Sequence, residues 1–111
     1  MLGHLTEAEE NVIEKLVKKI KDTLGDNLVF IELFGSKIRG DYEPDSDIDL
    51  LVVVKNKNAK LRSSLYDILF EIDPYYNFKI SLIIYSEFEY KQNIKLKSTF
   101  FENLEKEGIR L

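Results

Sequence analysis

Between two apolar stretches the chain reads Phe34-Gly35-Ser36-Lys37-Ile38-Arg39-Gly40-Asp41-Tyr42-Glu43-Pro44-Asp45-Ser46-Asp47-Ile48-Asp49-Leu50. A glycine where a strand ends lets the backbone approach a ligand without a Cβ in the way. The turn or helix start that follows offers free N–H groups and a positive dipole end, which suit a phosphate. The Ser36 hydroxyl adds one donor. Asp47 and Asp49 are two apart on a predicted strand, so both side chains leave the same face. Ile48, Leu50, Val52 and Val54 leave the other face, toward a core. Two residues along a strand span roughly 6.6 Å, within reach of one shared hard cation or a cation pair. Without a cation the two carboxylates repel. An all-oxygen set favours Mg²⁺ or Mn²⁺ over zinc. Mg²⁺ is readily completed by substrate phosphates, which the Gly35-Ser36 turn would supply. Taken alone, a Gly-Ser after a strand is common, and an Asp-x-Asp often only caps a loop edge. Together, ahead of a buried apolar strand, they read as a site for a metal–nucleoside triphosphate.

These residues need elements to position them. Thr6 and Glu9 have capping-box spacing. They open a helix whose apolar stripe is Ala8, Val12, Ile13, Leu16, Val17, Ile20 and Leu24, with Gly25 as its stop. Residues 28–34 and 48–54 read as strands by their β-branched and aromatic content, the second apolar enough for a sheet interior. Residues 59–72 form a second amphipathic helix, with Leu61, Leu65, Ile68, Leu69 and Ile72 on one face, ended by Pro74. The lysine-rich residues 55–60 between them read as a solvated loop. Residues 78–85 form a third strand, and Ser86 caps a short helix through Tyr90. Thr99 and Glu102 open a last helix that stops near Gly108. The order helix, strand, strand, helix, strand, helix argues for one α+β (α/β) domain over residues 1–111, a small mixed β-sheet flanked by helices. By alternation Asn77, Lys79 and Ser81 share a polar face of the third strand that extends the site. Among the late aromatics, Tyr85, Phe88, Tyr90, Phe100 and Phe101 are read as core, with an interface as the alternative.

Composition narrows the chemistry. The sequence has 111 residues and no cysteine, which excludes disulfide scaffolds, thiolate metal sites and cysteine nucleophiles, and suits a reducing cytoplasm. The one histidine, His4, sits near the N-terminus, so His-based metal clusters and Ser-His-Asp triads are excluded. Carboxylates, hydroxyls, Lys, Arg and backbone amides remain. The net charge of −4 does not favour a broad basic surface for nucleic acid. No apolar run approaches the roughly 20 residues of a membrane helix.

Phe34-Gly35-Ser36, ten intervening residues and Asp47-Ile48-Asp49-Leu50 match the signature of the DNA polymerase beta-like nucleotidyltransferase superfamily. The fuller Gly-Ser-x-x-Arg-Gly followed by Ser-Asp-Ile-Asp-Leu resembles the minimal nucleotidyltransferases, short antitoxin-like proteins that pair with helical HEPN-domain partners. The resemblance implies a nucleotidyltransferase that moves a nucleoside monophosphate, AMP from ATP, to a hydroxyl such as a tyrosine on a HEPN-type partner. It implies that Gly35 and Ser36 hold the β- and γ-phosphates, and that Asp47 and Asp49 are the catalytic metal ligands. Arg39 either helps position the triphosphate or pairs with Asp41, Glu43 or Asp45. The sequence departs from the family at a third carboxylate on a neighbouring strand. Ser81 stands at the position assigned to it, with Lys79 nearby either binding phosphate or solvated. Glu32 is the nearest candidate replacement, unless it is a partly exposed strand residue. Glu71 and Asp73, at a helix end, read as structural. The missing carboxylate leaves a second expectation, a weak or inactive binding module that masks a partner protein. The acceptor, the preferred base and the oligomeric state, a homo-oligomer included, are left open.

Overall fold

The computed structural model describes residues 5–34, 48–96 and 108–111. In chain order these form helix α1 (Glu7–Leu24), strands β1 (Leu28–Phe34) and β2 (Ile48–Val54), helix α2 (Ala59–Ile72), strand β3 (Ile80–Ser86), helix α3 (Glu87–Lys95) and strand β4 (Ile109–Arg110). The sheet order is β3-β2-β1-β4. β1 runs antiparallel to β2 and β4, while β2 and β3 are parallel, so the sheet is mixed as expected.

Local chemistry explains the boundaries. The Thr6–Glu9 capping box is formed in both directions, at 2.8 and 3.1 Å. Glu9 is therefore buried at the head of α1 while Ala8, assigned to the apolar stripe, is exposed. Gly25 follows with φ +52°, a backbone that favours glycine. Asn58 caps α2 by accepting from Leu61 N at 2.8 Å. Pro74 disfavours helix at Asp73 and α2 ends there. Ser86 and Glu89 make a second reciprocal capping box, and α3 runs on to Lys95, past the expected Tyr90.

Two apolar layers enclose the sheet. On one side Ile13, Leu16, Val17 and Ile20 of α1 and Leu61, Leu65, Ile68 and Leu69 of α2 pack on Ile48, Leu50, Val52 and Val54 of β2 and their neighbours. The opposite side holds Leu51 and Val53, with Phe30, Phe34, Ile83 and Tyr85 around them and Tyr90 and Ile94 of α3 above. Phe30 and Tyr90 meet edge to face, with ring centroids 5.0 Å apart. A register shift in β1 between Leu28 and Phe30 sends Leu28 to the first layer and Val29 with Phe30 to the second. Of the late aromatics, Tyr85 and Tyr90 thus pack into the second layer, whereas Phe88 is 71% exposed. Phe100, Phe101 and the expected helix from Thr99 lie outside the described residues.

Two expectations need correction. The third strand begins at Ile80 because Lys79 has φ +50°, which no strand continues through. β4 was not foreseen at all; two residues pair with Glu32 and Leu33 after Gly108. The 55–58 loop also does more than face solvent. Asn27 and Asn56 exchange two hydrogen bonds, and Lys57 ion-pairs with Glu89 at 2.9 Å.

β3 ends the sheet, and its outer edge is capped by side chains. Lys79 O accepts from Ile48 N at 3.0 Å, so the odd-numbered residues turn toward β2 and the even-numbered ones outward. Tyr66 Oη donates to the outward carbonyl of Leu82 at 3.1 Å, and Lys57 Nζ donates to that of Ile84 at 3.2 Å. Occupied carbonyls and a lysine are means by which edge strands resist pairing with another chain. Tyr66→Phe combined with Lys57→Met is expected to raise concentration-dependent self-association; a sedimentation coefficient identical to wild type across the concentration range would refute the capping role. Glu89 gives a second expectation. The Ser86 N–H bond, then Lys57, holds its carboxyl below the ordinary value of 4.5. A carboxyl lowered by folding contributes stability that is complete above that value and is lost as pH falls through the lower folded one. Melting temperature is therefore expected to decline on acidification below about pH 4.5, and less steeply in Glu89→Gln. Equal acid slopes in the two proteins would exclude this linkage.

Candidate nucleotide site

Register brings part of the predicted site together. Across the sheet, Phe34 of β1 lies opposite Asp49 of β2, which in turn lies opposite Ser81 of β3. Asp49 and Ser81 are both half-buried and share one face of neighbouring strands. The next row is Glu32, Leu51 and Ile83, and the row after it is Phe30, Val53 and Tyr85. This face is therefore graded. Its far end is aromatic and covered by α3, while its near end carries the polar pair at the point where β1 runs into Gly35-Ser36. Ile48, Leu50, Val52 and Val54 point into the helix-covered layer, as the alternation required.

Gly35, Ser36, Arg39 and Asp47 lie outside the described residues, as do Asp41, Glu43 and Asp45. Lys79 is described and half-buried, one residue before β3. It does not share a strand face with Ser81 by alternation, because its left-handed backbone interrupts the strand and Asn77 lies exposed in a turn. Its carbonyl is bonded to Ile48 N, so the residue still borders the Asp49–Ser81 row.

Glu32 is 7% exposed, where a partly exposed strand residue was the alternative to a catalytic one. It faces Arg110 of β4, whose guanidinium is 3.7 Å from the Glu32 carboxylate and 3.8 Å from the centroid of the Phe30 ring. Glu32 thus anchors β4 through an ion pair one row behind Asp49. Sequence reasoning missed Arg110, and two residues after a glycine carry no periodic signal that would have found it. Asp73 is structural, as expected: it is 6% exposed and its two carboxylate oxygens accept from Asn77 N at 2.9 Å and Phe78 N at 3.0 Å.

The oxygen donors on this row are one carboxylate and one hydroxyl, which suit a hard divalent cation rather than zinc. Among the described residues no three of His, Cys, Asp and Glu gather into a metal-holding group. A cation held by one or two carboxylates and completed by substrate phosphates needs no such group. The grooves that are described lie elsewhere, one of about 290 Å³ between α1 and Leu111 and another of about 350 Å³ beside Tyr66, Phe70 and Tyr76. Neither is lined by Asp49 or Ser81. No described helix is long and apolar enough to cross a membrane.

Known proteins resemble this chain over most of its length. The nucleotidyltransferase domain family matches residues 13–106. A candidate protein adenylyltransferase of Methanocaldococcus jannaschii is 32% identical over 101 residues, covering 90% of this chain and 95% of that protein. A second from the same organism is 38% identical over 77 residues, covering 67% of this chain and 52% of the longer relative. The crystal structure of a candidate nucleotidyltransferase superposes with a TM-score of 0.54 at 19% identity, over 76% of this chain and 89% of that one, a likeness of fold. The mixed sheet, the flanking helices and the match over most of the chain place the protein in the nucleotidyltransferase domain family, among the transferases.

Proposed function

We propose that the protein transfers AMP from ATP to a hydroxyl on another protein, with a tyrosine of a helical HEPN-type partner as acceptor and Mg²⁺ or Mn²⁺ as cofactor. The observation that carries this reading is the Asp49–Ser81 pair set on one sheet face beside the end of β1. The names of the two archaeal relatives support adenylyl transfer to protein.

On this reading Gly35 and Ser36 cradle the β- and γ-phosphates, Arg39 and Lys79 offset triphosphate charge, and Asp47 and Asp49 are the metal ligands. A bound divalent cation supplies charge neutralisation and lowers the pKa of the acceptor hydroxyl. The acceptor oxygen forms a bond to the α-phosphorus, the bond from that phosphorus to the bridging oxygen breaks, and pyrophosphate leaves. The hydroxyl proton must go to a base or to water. Ser81 is a poor base, and a general base is typically worth about 10²–10⁴ in rate. The loss weighs less on an acceptor that ionises readily. A phenol, with a pKa of about 10, therefore suits this site better than an aliphatic alcohol. The cysteine-free composition fits a cytoplasmic protein.

The serine also favours a second reading. A domain that keeps its nucleotide face but lacks the third carboxylate would act as a module that masks its partner. Incubation with α-³²P-labelled ATP, Mg²⁺ and the HEPN-type partner separates the two. Label on the partner is expected, falling by about two orders of magnitude or more in Asp49→Asn, since ligand loss removes several kcal/mol of charge stabilisation. Absence of transfer with any nucleotide, alongside partner binding that survives Asp49→Asn, would establish the masking module instead.

A further inference from the structure

We propose that Asp73 is a positioning residue for the nucleotide site: it holds the turn that places Lys79 beside the Asp49 end of β2. The inference rests on the reading above in which Lys79 meets the triphosphate.

Pro74 takes Asp73 out of the helix, to φ −133° and ψ 68°, while its N–H still bonds Leu69 O at 2.8 Å. Every polar group of Asp73 is then committed to its own neighbourhood. Its carbonyl accepts from Tyr76 N at 3.2 Å, and its two carboxylate oxygens take the amides of Asn77 and Phe78. A carboxylate that accepts two adjacent amides fixes a short segment more tightly than one bond would. The segment is one that would not hold itself. Tyr76 has φ +55° and Lys79 φ +50°, among the described residues the two non-glycine ones in the left-handed region. A side chain makes that region unfavourable, and such residues persist where the surroundings over-determine them.

The effect passes directly to the site. Immediately after Phe78, Lys79 turns its carbonyl to Ile48 N, and that bond starts the ladder in which Ile48 meets Ile80 and Asp49 meets Ser81. Were Lys79 to relax into the extended region, its side chain would swing to another direction and its carbonyl would leave Ile48. Asp73 itself is buried and spent on backbone amides. It therefore acts through Lys79 and not on the substrate. A helix-end aspartate followed by proline thus sets the direction of a cation at the mouth of a phosphate site.

A double-mutant cycle on Mg·ATP affinity tests this, with the full chain, by calorimetry. Asp73→Asn keeps the size of the side chain but presents an N–H to one of the two amides. It is expected to weaken Mg·ATP by about tenfold, with far-UV circular dichroism unchanged. Lys79→Met is expected to weaken it to a similar degree. If Asp73 works by aiming Lys79, the double variant is no weaker than the worse single one, because the aim is worthless once the ammonium is gone. Multiplicative losses would overturn the inference and leave the Lys79 contact standing. An unchanged affinity in Lys79→Met would remove both, while Asp49→Asn would still report on the metal site. Where Asp73→Asn does not fold, Asp73→Ser, whose single hydroxyl oxygen cannot replace both carboxylate oxygens and whose proton can rotate away from the amides, carries the same cycle with the same two outcomes.

Discussion

β2 is hydrogen-bonded along both edges and buried on both faces, and that confinement decides where Asp49 can be. A slip of one residue against either neighbour would exchange its two faces. Leu50, Val52 and Val54 would leave the helix-covered layer, and the apolar residue brought beside half-buried Ser81 would forfeit roughly 1.5–3 kcal/mol of burial. Asp49 would enter that layer, where an uncompensated charge costs more than that loss. The apolar pattern of the strand and the polar requirement of the site therefore select the same register. The carboxylate is placed by hydrophobic packing several residues away, before any ligand contributes.

Among the described residues the two faces of the sheet are covered unequally. α1 and α2 seal one face over the length of β2. α3 is nine residues long and reaches the other face through Tyr90 and Ile94, next to Phe30 and Tyr85. Of the three rows on that face, the one farthest from the Gly35-Ser36 motif is thus apolar and roofed, and the nearest is polar. The middle row, where Glu32 is buried against Arg110, joins them by tying β4 to the sheet. A charged pair there helps fasten β4, whose Ile109 also packs on the helix-covered core, and the guanidinium over Phe30 continues the aromatic layer.

The sequence states most of this frame because its signals are local. The bounds of β1, β2 and α2 follow from apolar runs and Pro74, and the structure keeps all three. Ser81 was placed on the neighbouring strand from the family resemblance, and the sheet register sets it opposite Asp49. What could not be read depends on atoms brought together from afar or on rare backbone states. Alternation was carried through Lys79 because an extended lysine is the ordinary case, whereas the turn in which Asp73 holds Asn77 and Phe78 leads into a Lys79 with φ +50°. Glu32 resembled a strand residue facing water until β4 arrived beside it. Ala8 lost its assigned place to Glu9 because the capping box pulls that glutamate down onto the helix start.

Ser81 is the residue at which the frame and the proposed chemistry pull apart. On the proposed reading a hydroxyl beside Asp49 leaves an oxygen for the cation but lacks the charge and the basicity of a carboxylate. On that reading the missing charge spares repulsion with Asp49 and with an incoming triphosphate, so nucleotide binding would tolerate the change. The missing basicity bears only on the step in which a hydroxyl loses its proton. The two consequences have opposite signs, and a Lys79 ammonium meeting the triphosphate, as proposed, would move the balance further toward holding phosphate. On the proposed reading the chain has therefore shifted the burden of proton loss to its acceptor. A phenol meets that demand by its own acidity, which ties the identity of one serine on β3 to the kind of side chain a partner must present.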